Sequence, residues 1–466
     1  MNTYDIIVVG GGPGGSIAAK EAAEKGLKVV FFERGRKPGE KNSSGCGLGP
    51  RMWRDFEIMK ELTSEKCPSM RAGAAARNYF VNKEGVVAGY VMARPTESVS
   101  YEPAKSWITM NVYRSEFDPW IAEFAINAGA ELKTSTLVID LIKENGKVCG
   151  VIDEKGEKYN APIVIGADGA ISMVAKKSGL RTKWAQDQIT VVPQYDFQVS
   201  PEKIDDIMGD EALAVWWSAM FPASYQVFFH DGFHQGLGNW LNKWDKNPLF
   251  YLNCVVNLNY YKRLLKILEA KPREVQAHLL PWLKYPYNTH TDGVILIGDA
   301  GGFPCPLEAE GIYPAMITAK MAIDVAADAI TAEDVSKNAL SKFDELWQKT
   351  SVGEEFEAGE ELYNIWKALP FSPKETMSWF VPMLMEALGG IYDWSQPHAK
   401  RVRQIAAHIK SYMPQAMPFI MKYVFPLLAK IFEDDLDKMM DPSKLMTALP
   451  KLIDMIPKKK KRTRGK

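Results

Sequence analysis

The stretch from Tyr4 to Glu33 constrains this chain more than any other. A short apolar run, Tyr4-Asp5-Ile6-Ile7-Val8-Val9, meets Gly10-Gly11-Gly12-Pro13-Gly14-Gly15. An alanine-rich segment, Ser16 to Lys25, leads through Gly26 to a second apolar run, Val29-Val30-Phe31-Phe32, closed by Glu33. The order predicts a strand, a tight turn, a helix and a second strand within about thirty residues, the phosphate-binding unit of a Rossmann-like α/β fold. Gly10 permits the turn, Gly12 lets the backbone approach a pyrophosphate beside Pro13, and Gly15 lets helix and strand pack closely. The helix N-terminus offers N–H groups and a positive dipole end. Glu33 stands where a carboxylate accepts hydrogen bonds from a ribose diol and repels a 2′-phosphate, which disfavours NADP.

A chain of 466 residues has room for two or three domains. Lys plus Arg and Asp plus Glu both number 57, so no net field points to nucleic acid. The charge is uneven, however, because Lys458 to Lys466 is almost wholly basic. Cys46, Cys67, Cys149, Cys254 and Cys305 contain no CxxC pair, which argues against a zinc site or an iron–sulfur cluster held by this chain alone. Their odd number fits a reducing cytoplasm. The N-terminus enters the first strand directly, with no signal peptide expected, and no uncharged apolar run reaches the ~18 residues that span a bilayer. The expectation is a cytoplasmic protein, with peripheral contact at the inner membrane face as its extension.

After Glu33, the glycine- and serine-rich run Arg34 to Gly49 must be a loop, placed to run along a bound dinucleotide. Met52 to Leu62 reads as a short amphipathic helix and Tyr79 to Met92 as strands. Arg114 precedes a helix with Trp120, Ile121 and Phe124 at helical spacing. Glu144-Asn145-Gly146-Lys147 reads as a hairpin turn between two strands. Ile163-Val164-Ile165 feeds a second glycine turn, Gly166-Ala167-Asp168-Gly169, and Val294 to Ile297 feeds a third, Gly298-Asp299-Ala300-Gly301-Gly302, ahead of a helix beginning near Gly311 and Ile312. Between Gln188 and Trp240 the pattern alternates and is rich in aromatics, with Asp231-Gly232 as a turn, so an antiparallel sheet is expected there. His230 and His234 flank that turn and read as surface histidines; the alternative is approach to a quinone or carbonyl oxygen if the sheet roofs the site. Leu340 to Pro457 reads as helical and rich in Met, Trp, Phe and Pro, either plain core or one half of an interfacial anchor whose other half is the basic tail.

Four of these segments together resemble the glutathione-reductase-like flavoproteins of the p-hydroxybenzoate hydroxylase type: Gly10-x-Gly12-x-x-Gly15 with Glu33, Arg114, the Gly166 to Gly169 turn, and Gly298 to Phe303. Within them the chain is similar to the geranylgeranyl reductase branch, which includes the FixC-type electron-transfer-flavoprotein:quinone oxidoreductases. The resemblance implies FAD as cofactor. It also implies a Rossmann-like FAD-binding domain (1–70, 105–185 and 285–335) interleaved with an antiparallel-sheet substrate domain (71–104 and 186–284). A helical C-terminal region (336–457) and the tail (458–466) follow. The residues it places on FAD are Gly10, Gly12, Pro13, Gly15, Glu33, Arg34, Gly45, Cys46, Gly47, Arg114, Asp168, Gly169, Gly298, Asp299, Gly311 and Ile312. Asp299 would hold the ribityl chain, its bland alternative being a helix cap. The turn to Gly311 would stabilise charge on reduced flavin. Cys46 is the candidate catalytic thiol, or else simply a small residue in a crowded loop.

Within the branch the motifs divide. Lys41-Asn42-Ser43-Ser44-Gly45 and Gly179-Leu180-Arg181-x-x-Trp184 are FixC-like, and FixC-type proteins leave their iron–sulfur cluster to a separate subunit, as the absence of cysteine after Cys305 fits. That favours electron transfer from a protein donor, an electron-transfer flavoprotein or ferredoxin-like subunit, to a quinone. Pro306 to Tyr313 and Cys46-Gly47 instead resemble enzymes that saturate isoprenoid double bonds. Val227-Phe228-Phe229-His230 departs from their tryptophan-x-phenylalanine-proline signature. An electron-transfer subunit without a small-molecule substrate is the third reading and monooxygenation a weaker fourth. No second nicotinamide-binding unit is marked in the sequence.

Overall fold

The structure is a computed structural model that describes residues 2–40, 47–81, 87–93, 109–218, 220–222, 224–306 and 309–357, with 363, 403, 407, 410–412 and 414. The predicted loop from Lys41 to Cys46, the basic tail and most of the C-terminal helical region lie outside the described residues.

At the centre is a six-stranded sheet in the order His290–Thr291, Val294–Leu296, Ile163–Gly166, Ile6–Val9, Val29–Phe32, Glu131–Lys133. All neighbours are parallel except the His290–Thr291 edge. Strands covered on both faces must be apolar at every position, and Ile6 to Val9 and Val29 to Phe32 are all buried. Ile6, Val8 and Phe31 face one core with the helices Pro13–Glu24, Arg114–Asn127 and Ile312–Thr331. Ile7, Val9, Val30 and Phe32 face the other core, beneath a small four-stranded sheet of Val138–Glu144, Lys147–Asp153, Lys158–Asn160 and Asn2–Thr3. The hairpin between Val138–Glu144 and Lys147–Asp153 turns at Asn145 (φ 50°) and Gly146 (φ 86°), as the Asn-Gly pair predicts.

The second layer is an eight-stranded sheet: Asn239–Trp240, Ile189–Gln198, Gly232–Leu237, Ser224–Phe229, Glu211–Ser218, Ala75–Val81 and Val87–Ala93, with Lys271–Pro281 on the other side of Ile189–Gln198. It is antiparallel apart from the parallel pair Glu211–Ser218 and Ala75–Val81. Its outer face packs Phe197, Ala214, Trp216, Phe228, Phe233 and Leu237 against Pro201–Met208, Pro248–Val256 and Asn259–Ile267.

Two local readings change. Met52 to Leu62 is not one helix: Arg51–Asp55 is α-helical, Phe56 is extended (φ −129°, ψ 111°), and Glu57–Glu61 is a 3₁₀ turn. The longest strand of the second sheet, Lys271–Pro281, carries a charged, proline-bounded sequence that does not read as a strand. It is an edge strand, and edges are where lysine, glutamate and proline discourage further pairing.

Candidate functional site

The four sequence motifs converge on the glycine loop. Gly10 has φ +112°, and a Cβ there would lie 2.3 Å from the Ala167 carbonyl oxygen, so the first and second glycine turns touch through backbone. A Cβ on Gly15 would lie 1.8 Å from the Gly10 carbonyl oxygen. Gly14 meets Ala315 at 3.0 Å, and Gly298 meets the same residue at 2.9 Å, which brings the third turn and its helix to the first. Arg114 Nη2 lies 3.6 Å from the Cβ position of Gly12. The guanidinium is held there by two bonds to the fully buried carboxylate of Asp118, from Nε at 2.5 Å and Nη2 at 2.6 Å. The i, i+4 spacing puts both on one face of their helix.

Glu33 closes its strand with a buried carboxylate that accepts from Gly11 N–H (3.2 Å) and Gly35 N–H (2.6 Å). A carboxylate has about four acceptor positions, so roughly two remain for a diol. Arg34 beside it is exposed, and Gly47 forms the short strand Gly47–Leu48 against Thr109–Asn111. The Asp168 side chain is engaged within the second turn: Ser172 hydroxyl (2.5 Å) and Val174 N–H (3.0 Å) donate to its two oxygens. Burial pushes its pKa up, while those bonds pull it down. Its bond to Val174 N–H falls in the first turn of the helix Met173–Ser178, whose N-cap is Ser172, and Gly169 (φ 78°) shapes the second turn. Asp299 lies against Gly311, with Oδ1 3.1 Å from that glycine's Cβ position, at the mouth of the helix that Ile312 opens. Glu310 accepts from Tyr313 N–H (2.8 Å) and from Arg51 Nη2 (2.7 Å), closing the turn.

Arg181 and Trp184 also find a role. Arg181 is buried, donates from Nη2 to the Ala300 carbonyl at 2.5 Å and stacks on Trp184 at 3.4 Å, while Trp184 Nε1 donates to the Ala170 carbonyl at 2.7 Å. The pair clasps the third glycine turn to the end of the second. Burial draws the Arg181 pKa down to about 10.

The inner face of the eight-stranded sheet looks at this loop cluster. Tyr113, next to Arg114, packs on Phe229 (4.1 Å between rings) and Val227. Along Glu211–Ser218 the alternate residues Leu213, Val215 and Trp217 are half-buried, while their neighbours are buried on the outer face. Val192 and Tyr225 continue this half-open apolar face. A polar stripe crosses it. The Tyr225 ring lies across Gly236, whose missing Cβ would fall 2.4 Å from the ring, and its hydroxyl donates to Gln194 Oε1 at 3.0 Å. Gln194 Nε2 in turn contacts Gln276 Oε1 (2.7 Å) and His234 Nδ1 (3.2 Å).

His234 is therefore not a surface histidine. It is 3 % exposed and lies 3.7 Å from Asp196, because the hairpin register turns it inward opposite Asp196 and Val227, whereas His230 stays exposed at the turn. The Asp196 carboxyl is pushed up to about 6, chiefly by burial, with Arg273 pulling it down and Glu274 and Asp231 pushing it up. A raised folded-state pKa contributes stability that is full below the unfolded value and is lost as pH rises through the folded one. Wild type is thus expected to lose on the order of 2 kcal/mol to this group between about pH 4 and pH 6. Asp196→Asn should escape that loss. Urea unfolding at pH 4 and pH 7.5 checks it: a variant-minus-wild-type difference equal at both pH values would contradict the burial effect.

The residue that sequence reading missed is His278, whose Nε2 stands 3.7 Å from Asp299 Oδ2. Its signal, the alternation Gln276-x-His278-x-Leu280, was hidden in the charged edge strand. Gly45 and Cys46 lie outside the described residues. No group of three or more His, Cys, Asp or Glu among the described residues could hold a metal ion. No described helix is long and apolar enough to cross a membrane.

The open position at Gly12, whose Cβ site meets only the Arg114 guanidinium, the acceptors left on Glu33 and the Asp299–Gly311 turn fit FAD, and fold and site together define an FAD-dependent oxidoreductase. Residues 3–243 match the FAD binding domain family. The digeranylgeranylglycerophospholipid reductase of Methanocella arvoryzae is 31% identical over 352 residues, 73% of this chain and 82% of that protein. The second such reductase of Methanococcoides burtonii is 30% identical over 364 residues, covering 76% and 81%. Among solved structures, a geranylgeranyl bacteriochlorophyll reductase-like protein from Thermoplasma acidophilum superposes with a TM-score of 0.68 at 22% identity, covering 90% of this chain and 99% of its own. A flavin-dependent brominase does so at 0.61 and 18%, covering 86% and 93%. The chain belongs to the geranylgeranyl reductase family of FAD-binding flavoproteins.

Proposed function

We infer that the protein reduces isolated double bonds in the isoprenoid chains of a membrane glycerophospholipid, with electrons from a protein donor. The observation that carries this is the half-open apolar face of Val192, Leu213, Val215, Trp217 and Tyr225, joined to the Asp299 turn through His278, which pairs with Val192 and stands 3.7 Å from Asp299. The relatives named for a digeranylgeranyl lipid support it over electron transfer to a quinone, the reading that the 41–45 loop suggested.

In this reading Gly10 to Gly15 and Arg114 take the pyrophosphate, Glu33 the ribose diol and Asp299 the ribityl chain. FAD held there would supply the hydride once reduced. The sheet face lays the prenyl chain alongside and excludes water, at roughly 25 cal/mol per Å² of apolar surface removed from solvent. Saturation also needs one proton, and Cys46 is the candidate that the sequence offers for contact with substrate.

Val215→Asp tests the wall. A carboxylate facing a prenyl chain leaves a charge to be buried without a partner, a large penalty, while the glycine loop is untouched. Lipid turnover should fall at least 100-fold with FAD affinity unchanged within threefold. Full turnover in the variant would remove this face from the reading.

A further inference from the structure

Asp299 is approached from two layers of the molecule. Its Oδ1 faces Gly311 at 3.1 Å from the Cβ position, and its Oδ2 faces His278 Nε2 at 3.7 Å. The Asp299 side chain is 19% exposed and that of His278 36%, so the pair lies in a seam where a charge is screened less than on open surface. His278 does not belong to the nucleotide-binding layer. It sits on the edge strand Lys271–Pro281 opposite Val192, on the face that looks inward. Just beyond that strand, Trp282 Nε1 donates to the Pro306 carbonyl at 2.9 Å, which ties the strand's end to the segment after the Asp299 turn. A β-branched residue would suit a half-buried sheet position at least as well, so packing alone gives no reason for an imidazole there.

We propose that His278 is a positioning residue for FAD: it fixes the Asp299 carboxylate from behind and places an imidazole N–H donor beside the ribityl-binding turn. A carboxylate steadied on one oxygen keeps the other for a ribityl hydroxyl. An imidazole N–H turned toward that carboxylate presents the positive end of its dipole beside a cofactor that becomes more negative on reduction, and so favours the reduced form. The edge of the substrate sheet would then set the flavin's potential. This rests on Asp299 meeting the ribityl chain and not on the identity of the lipid.

The test uses the full-length flavoprotein and three variants, His278→Gln, His278→Lys and Asp299→Asn, with the Gln/Asn double variant. FAD affinity is read by flavin fluorescence on the deflavinated protein, and midpoint potential by dye-coupled reduction. His278→Gln should weaken FAD about tenfold and shift the balance of reduced over oxidised flavin about tenfold toward oxidised, ~30 mV for a two-electron couple. His278→Lys should restore the potential, and in the Asp299→Asn background His278→Gln should add nothing. Wild-type affinity and potential in His278→Gln would overturn the proposal, as would an undiminished effect in the Asp299→Asn background. If the Gln variant does not fold by circular dichroism, a lowered potential in His278→Lys overturns it and a retained one supports it. None of these readouts involves lipid, so a failure of the double-bond reading shows separately.

Discussion

Gly15→Ala should purify colourless. Its added methyl would lie 1.8 Å from the Gly10 carbonyl oxygen, which is backbone and cannot swing aside. To admit it the helix Pro13–Glu24 must move off the strand Ile6–Val9, and the N–H groups meant for the pyrophosphate move with it. Strain of this kind costs about 1–3 kcal/mol of stability, but the larger effect falls on FAD, whose affinity should drop at least 100-fold. Gly26→Ala is the matched control in the same unit. Gly26 has φ +78° yet nothing within 4 Å of its Cβ position, so alanine there costs about 1 kcal/mol of backbone strain and the protein stays yellow. Flavin fluorescence titration checks both, and near-wild-type affinity in Gly15→Ala would contradict the role of the loop.

Glu33→Gln should come next in size. The carboxylate accepts from Gly11 and Gly35 N–H through different oxygens, and an amide must turn its NH₂ toward one of them. That leaves a buried N–H opposed and removes the charged acceptor for the diol. Hydrogen bonds to charged groups contribute ~1.5–3 kcal/mol each, so FAD should bind about 10- to 100-fold more weakly. The same titration reads it, and unchanged affinity would take Glu33 out of the ribose site.

Much of this site was legible in the sequence because its chemistry is local. A glycine turn after a buried strand announces itself in a few residues, and the three such turns at Gly10, Gly166 and Gly298 meet because parallel strands present their C-terminal ends together. The contacts joining them, Ala167 to Gly10 and Ala315 to both Gly14 and Gly298, followed without separate signals. What escaped depends on faces and edges. Lys271–Pro281 was unreadable because an edge strand is built to look unlike one, and His278 went with it. His234 was misplaced because a turn signal fixes where a hairpin bends, while register against a third strand decides which side chain points inward. Arg181 and Trp184 were noticed as a resemblance, but their clasp on Ala300 and Ala170 required the fold.

The most direct measurement of the central claim is the product of a single anaerobic turnover. Dithionite-reduced protein, freed of excess reductant, is mixed with a digeranylgeranyl glycerophospholipid and, separately, with menaquinone; flavin reoxidation is followed by absorbance and the lipid is weighed by mass spectrometry. Reoxidation by the lipid, with a gain of two hydrogens per flavin oxidised, is the expected result. Reoxidation by menaquinone with the lipid unchanged would contradict it.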